Sequence, residues 1–225
     1  MRRTILVLAL AAVGLMPMPA TAGSAHQCFG EVATVVGTHR DDQLSGDVVV
    51  GRGGRDTIHA RLACGNSGDD FTVFGLEKAD GGPGSDEFVA SPGSLVEGGD
   101  GYDSLFSWSE SSQVLRGEEG NDEWVASEDG GETDFFYGGP GDDRTAPPDG
   151  IFGQDSRQFG GEGNDNLKGG SGRDKLYGGP GDDTLGSFPS DDGLPDLLWG
   201  GEGFDTCILY PGDRAINCED VTVVE

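Results

Sequence analysis

Gly160-Gly161-Glu162-Gly163-Asn164-Asp165-Asn166-Leu167-Lys168 runs directly into Gly169 to Tyr177 and then Gly178 to Gly186. Each nine-residue unit places glycine at positions 1, 2 and 4, Asp at position 6 and Leu at position 8. A unit of this kind demands a tight turn, a carboxylate and one buried apolar side chain, in that order. Glycines permit positive φ and close approach of neighbouring backbones. Residues 7 to 9 then predict a short strand whose position 8 points inward and whose neighbours point outward.

The pattern extends outward along the chain. Units starting at Gly37, Gly51, Gly65, Gly81, Gly98, Gly117, Gly138, Gly160, Gly169, Gly178 and Gly200 all carry Asp at position 6. These are Asp42, Asp56, Asp70, Asp86, Asp103, Asp122, Asp143, Asp165, Asp174, Asp183 and Asp205. Glycine holds position 4 in every unit but one, where Arg40 stands. Position 8 is apolar in most units, with Thr72, Thr145 and Cys207 as the others. A bias of composition alone would not hold the Asp column without exception.

Stacked at the ~4.8 Å strand spacing, the carboxylates of neighbouring coils would repel unless a cation bridges them. Carboxylate and turn carbonyl oxygens are hard donors that suit Ca²⁺, so metal binding should be coupled to folding. The sequence thus predicts an all-β chain, a right-handed parallel β-roll or β-solenoid with calcium-binding turns and disulfide-stapled end caps. The three contiguous units imply a flattened coil of two nonapeptides. Elsewhere the intervals are mostly longer, so one edge should keep the full motif, with a rail through Asp86, Asp103, Asp122 and Asp143. The other edge should turn through segments such as Ser91-Pro92-Gly93-Ser94, Ser109 to Ser112 and Asp129-Gly130-Gly131. Leu95-Val96, Val114-Leu115 and Phe135-Phe136 are then return strands. On this geometry Asp165 and Asp183 share one edge, and Asp174 pairs across the other with Asp192.

These residues resemble the RTX (haemolysin-type) calcium-binding repeat, over roughly Val35 to Cys207. The resemblance implies Ca²⁺ held between coils by turn carbonyls and by the position-6 Asp, with Gly160, Gly169 and Gly178 opening the densest turns. The chain departs from the repeat at Glu118, which replaces a second glycine, at the truncated Gly46 to Val50, and at Ile151 to Phe159. It departs also in its start: many members of the family carry a C-terminal export signal instead of a removable N-terminal one.

Composition agrees with an ion-dependent fold. The 225 residues include 42 glycines and only 34% hydrophobic residues, with a formal charge of −27. Such chains stay disordered unless their carboxylates are neutralised. The charge argues for cations and against nucleic acid or anionic membrane as partners. Met1 to Ala22 reads as a secretory signal peptide, with Arg2 and Arg3 before an apolar run and Ala20-Thr21-Ala22 as a cleavage site. Its removal takes away two arginines and leaves −29. No membrane span is expected in the mature chain, and a monomer is. Four cysteines fit export. Cys28–Cys64 and Cys207–Cys218 are the favoured pairs because each closes a short loop at a chain end, although four cysteines allow three connectivities. The organisation expected is a signal at 1–22, an N-terminal cap at 23–36, the roll at 37–207 and a C-terminal cap at 208–225.

The chemistry of catalysis is hard to find. Three histidines make no zinc motif, and no nucleophile elbow is present. Asp41-Asp42, Asp69-Asp70, Asp142-Asp143 and Asp182-Asp183 could be acid/base pairs, but turn tolerance at position 5 and metal ligation at position 6 explain them better. Trp108, Trp124, Trp199, Tyr102 and Tyr137 could form a sugar-binding stripe, but packing roles are expected. Lys and Arg look scattered, with no patch. The expectation is a secreted, non-enzymatic calcium-binding module. The alternative is a calcium-dependent carbohydrate-active enzyme or adhesin on a β-helix scaffold.

Overall fold

The computed structural model describes residues 26–73, 75–107, 111–126, 133–146, 155–186 and 193–224. Among these residues there is no helix, and none is long and apolar enough to cross a membrane. The chain winds as a β-solenoid of two facing parallel sheets of eleven strands each. The front sheet runs from Gln43–Ser45 to Asp220–Val223, and the back sheet from Val35–Val36 to Arg214–Ile216. A back strand passes through a Gly-rich turn into a front strand. A looser connection then returns it to the next back strand. We call these sides the motif edge and the loop edge.

Position 8 of each motif-edge unit forms a single column inside the front sheet. Ile58, Phe88, Leu105, Trp124, Leu167 and Leu185 are buried there in register. Val49, Val96, Leu115, Phe136, Leu176 and Leu198 answer from the back sheet. The core is therefore one side chain deep per sheet, which explains how a chain with so little apolar content still folds. Volumes trade off within a coil: Ala79 shares a coil with Phe88, and Phe136 with Thr145. Trp124 stacks on Phe136 with ring centroids 5.7 Å apart, and its Nε1 donates to Ser107 Oγ at 3.2 Å. Gln158 is the polar exception in the back column. Its Nε2 donates to Lys168 O at 2.8 Å and to Ser156 Oγ at 3.0 Å.

Both expected disulfides are present, Cys28–Cys64 and Cys207–Cys218. The first fastens the antiparallel hairpin of Gln27–Cys28 and Glu31–Val32 onto the outside of the back sheet. There Cys28 is buried with Val48, Val50 and Leu62, side chains that alternate with the inward Val49 and Ala63. The hairpin thus covers a sheet face and does not lie across the end of the stack. Arg61 ties it down further, pairing with Glu31, Asp47 and Glu77 at 2.8–2.9 Å. At the other end Asp220–Val223 is the last front strand, and Val221 and Val223 remain exposed.

Candidate metal centre

The motif edge is governed by one repeated hydrogen bond. The main-chain N–H of each position-6 Asp donates to Oδ1 of the position-6 Asp one coil further on. The links run from Asp42 through Asp56, Asp70, Asp86, Asp103, Asp122, Asp143, Asp165 and Asp183 to Asp205, at 2.6–2.9 Å. Glu219 closes the far end by accepting from Asp205 N through Oε2 at 2.9 Å. At the near end Asp42 is only half-buried, and Thr38 donates to its Oδ2 through both its N–H and its hydroxyl. Successive links skip 14 residues at first and as many as 22 later. The extra residues enter on the loop edge, so the motif edge keeps its register whatever the coil length.

Each carboxylate spends one oxygen on this ladder and leaves the other. Oδ2 of Asp56, Asp70, Asp86, Asp103, Asp122, Asp143, Asp165, Asp183 and Asp205 is buried and has no hydrogen-bond partner. A buried polar atom left so costs about 1–3 kcal/mol, and nine in one column cannot be accidental. The position-1 glycines show what lies around them. A Cβ added to Gly51, Gly65, Gly81 or Gly98 would run into Oδ2 of its own unit and press on the carbonyl oxygen of the position-1 glycine of the next coil. The same holds at Gly160 and Gly178. Each turn therefore brings a carboxylate oxygen and a main-chain oxygen to the same side of one glycine.

Position 4 is glycine for a related reason. Gly101 has φ +140°, and a Cβ there would collide with the Gly84 carbonyl one coil back. Position 2 also takes positive φ in every unit after the first, where Thr38 stands, but is less demanding. Arg52, Asn66 and Glu118 occupy it at φ between +75° and +92°. The departure at Glu118 therefore leaves the turn in place.

Burial pushes these carboxyls up in the absence of an ion, and neighbouring carboxylates add to the effect at most of them. Asp86 and Asp143 are raised to about 8, Asp103 and Asp165 to about 7, and Asp70, Asp122 and Asp183 to about 6. Main-chain N–H donation opposes the rise but does not cancel it. A cation placed among the Oδ2 atoms would reverse the shift, since an opposite charge favours the ionised form. Among the described residues no three Asp, Glu, His or Cys side chains converge to hold a metal. The donor set is instead one carboxylate per turn plus backbone carbonyls. All of it is hard oxygen, which suits Ca²⁺ and its 6–8 ligands better than softer metals.

The loop edge carries a shorter version. Asp174 N donates to Asp196 Oδ1 and Asp196 N to Asp213 Oδ1, while Ser156 donates to Asp174 Oδ1 through N and Oγ. Asp174 Oδ2 is buried and unpartnered, and Gly169 faces it as Gly51 faces Asp56 Oδ2. Burial raises Asp174 to about 8, with Asp196 adding to it. The register expected from sequence needs correction here: the partner of Asp174 is Asp196, because the loop edge absorbs insertions that shift the spacing. Asp192 lies outside the described residues. Asp196 and Asp213 were missed because neither sits in a Gly-rich unit. Their one visible signal is the strand that follows each.

The Asp doublets divide between two ladders. The position-5 residues Asp41, Asp69, Asp142 and Asp182 accept the N–H of position 5 in the following coil at 2.8–3.1 Å. Of their position-6 neighbours, Asp70, Asp143 and Asp183 accept from the preceding coil, and Asp42, at the near end, accepts from Thr38 of its own turn. Neighbouring carboxyls thus serve opposite directions and do not form acid/base pairs.

The profile of the RTX calcium-binding nonapeptide repeat matches residues 40–62 and 159–186, in four copies. The chain carries that repeat, and the ion of the repeat is Ca²⁺. No curated protein and no solved structure matches the chain.

Proposed function

We propose that this chain is an exported, non-enzymatic calcium-binding roll, folded by the ions it binds between coils and used as an extracellular structural or interaction module. The column of nine buried, unpartnered Oδ2 atoms on the motif edge carries the reading. Asp56 to Asp205 would each offer Oδ2, with position-1 carbonyls completing the shell, and Asp174 would do the same on the loop edge. Asp42 would serve as the column's terminus, since Thr38 already holds its Oδ2. Calcium supplies the positive charge that lets stacked carboxylates ionise inside the fold.

Export is supported by the signal-like Met1 to Ala22, which lies outside the described residues, and by two disulfides of the kind that persist in oxidising compartments. A non-enzymatic role is supported by the ladder itself, which commits the conspicuous carboxylates to main-chain donors and to an ion. The test is a circular-dichroism titration with calorimetry. Calcium should induce β signal and bind at several sites per chain. Magnesium, which holds its waters and demands octahedral geometry, should not. Equal β signal in chelator and in calcium at neutral pH would refute the folding-coupled role.

A further inference from the structure

The outward columns of the back sheet gather side chains that looked scattered in the sequence. Tyr137, Phe159, Tyr177 and Trp199 stand in register on successive strands. Tyr137 and Phe159 are parallel with centroids 4.9 Å apart, and so are Phe159 and Tyr177. Arg116 continues the column and lies over the Tyr137 ring at 5.8 Å. In the adjacent outward column Arg157 pairs with Lys175, and Leu197 separates Lys175 from Arg214. Trp199 and Tyr137 are about two-fifths exposed, at 41% and 37%.

The charge of this face opposes that of the molecule. The chain carries −27 overall, yet no Asp or Glu occupies either outward column between Val114 and Ile216. The front sheet shows Glu87, Glu123 and Asp220 at equivalent positions. Beyond Arg116 the column continues with Glu97, which pairs with Arg116 at 3.1 Å, and further carboxylates stand where the back strands enter the motif edge, at Glu119, Glu162 and Glu202. The face is two columns wide and, from Arg116 to Trp199, about 20 Å long at ~4.8 Å per strand. At its Trp199 end it opens into a cleft of about 350 Å³ lined by Tyr177, Pro180, Trp199, Glu202 and Asn217.

We propose that this basic and aromatic stripe binds a linear acidic polysaccharide, a chain of hydroxyl-rich sugars bearing carboxylates. The proposal rests on the reading of the roll as an extracellular interaction module and names its partner. A long narrow stripe suits an extended polymer better than a globular surface. Arg157, Lys175 and Arg214, with no carboxylate between them, select for negative charge, while Arg116 at the far end is paired with Glu97. The stacked rings present their edges, which are the electropositive part of an aromatic ring, together with the Tyr137 and Tyr177 hydroxyls, so they complement the oxygens of a glycan. Nucleic acid fits poorly: Phe159 has a ring on each face, and 4.9 Å leaves no room for a base to enter. An extended glycan advances per sugar by nearly the strand spacing, which keeps it in step with the coils.

The calcium-loaded chain should be titrated by calorimetry with hyaluronan oligosaccharide, a cello-oligosaccharide of equal length, poly-L-glutamate and oligothymidylate. Hyaluronan should bind and the neutral glycan should not, with affinity falling as salt rises. The Arg157→Glu, Lys175→Glu double variant should lose roughly tenfold or more. Lys168→Glu, a charge reversal on the front sheet, should stay within roughly twofold. Tyr177→Ala should weaken binding at high salt as well as low. Equal binding of neutral and acidic glycans, preference for poly-L-glutamate or oligothymidylate, or an equal loss in Lys168→Glu would overturn the proposal, and the first two need no variant. The calcium-induced β signal, recorded on the same samples, separates failure of this inference from failure of the calcium reading.

Discussion

Asp103 donates its main-chain N–H to Asp122 Oδ1 at 2.8 Å, while Asp122 Oδ2 is buried with no partner. One carboxylate thus has one oxygen serving as a structural acceptor and the other able to serve as a ligand for an ion. Asp122→Asn keeps the side-chain carbonyl that can serve the ladder and removes the charge. We expect it to fold in calcium with affinity lowered by roughly tenfold or more at the adjacent sites, since ligand charge sets calcium affinity. Asp122→Ala removes both roles and should also lower the thermal midpoint in saturating calcium. Calorimetry and melting of the pair distinguish the two oxygens; equal melting of both variants would show that the ladder bond contributes nothing.

The same carboxyls predict an inverted pH response in the ion-free chain. Burial raises Asp86 and Asp143 to about 8 and Asp103 and Asp165 to about 7, against ~3.9 in an unfolded chain. A group with a raised folded pKa stabilises the fold below its unfolded pKa, and the contribution is lost as pH rises through the folded value. Metal-free protein should therefore show more β structure near pH 4 than near pH 8, with the loss spread over about pH 4 to 8. Asp42, lowered by its Thr38 hydrogen bonds, acts in the opposite sense. Calcium reverses the trend, because protons compete for the same oxygens. Circular dichroism of dialysed protein across this range tests the sign; an ion-free signal that grows toward pH 8 would contradict it.

The motif edge was legible because every requirement there falls on a residue type. Gly101 must avoid the Gly84 carbonyl, Asp103 must reach two ways, and Leu105 must fill the core. The loop edge was not, because insertions of varying length carry no such constraint, and Asp196 stands in register with Asp174 without a Gly-Gly-x-Gly turn to announce it. The basic stripe was hidden for another reason. Arg116, Arg157, Lys175 and Arg214 lie far apart in sequence, and coils of unequal length conceal that they share a face. Of the five aromatics first considered, Trp199 and Tyr137 join the stripe, while Trp124 is in the core and Trp108 lies outside the described residues. Tyr102 instead donates to Glu123 and accepts from Arg144, away from the back sheet.

Gln158 offers a test of the core. Its amide occupies a column otherwise filled by Leu115, Phe136, Leu176 and Leu198, and its Oε1 is buried without a partner. Lys168 O, which accepts from its Nε2, also accepts from Thr145 Oγ1 at 3.3 Å. Removing the amide therefore leaves that carbonyl with a donor. Gln158→Leu should be neutral or stabilising, within about 1 kcal/mol of the parent or above it. Phe136→Ala in the neighbouring coil should cost about 3–5 kcal/mol. Calcium-saturated unfolding of both decides; a loss above about 2 kcal/mol for Gln158→Leu would mean that the polar contacts outweigh the orphaned oxygen.

The two disulfides should differ in what they protect. Cys207 lies in the core column and Cys218 packs against it, closing 11 residues that hold Arg214–Ile216 on the end of the stack. Replacing both by Ser should cost about 2–3 kcal/mol and should loosen the last coil, where Glu219 terminates the Asp ladder at Asp205. Cys28–Cys64 instead fastens a hairpin to an outer face, with the Arg61 pairs beside it. Its loss should release the hairpin while leaving the calcium-induced β signal intact, because a solenoid transmits instability mainly to neighbouring coils. Hydrogen exchange on the calcium-loaded variants resolves this: protection should fall at 206–224 in the first and at 26–36 in the second. Loss of protection along the whole stack in either variant would show that the coils do not melt independently.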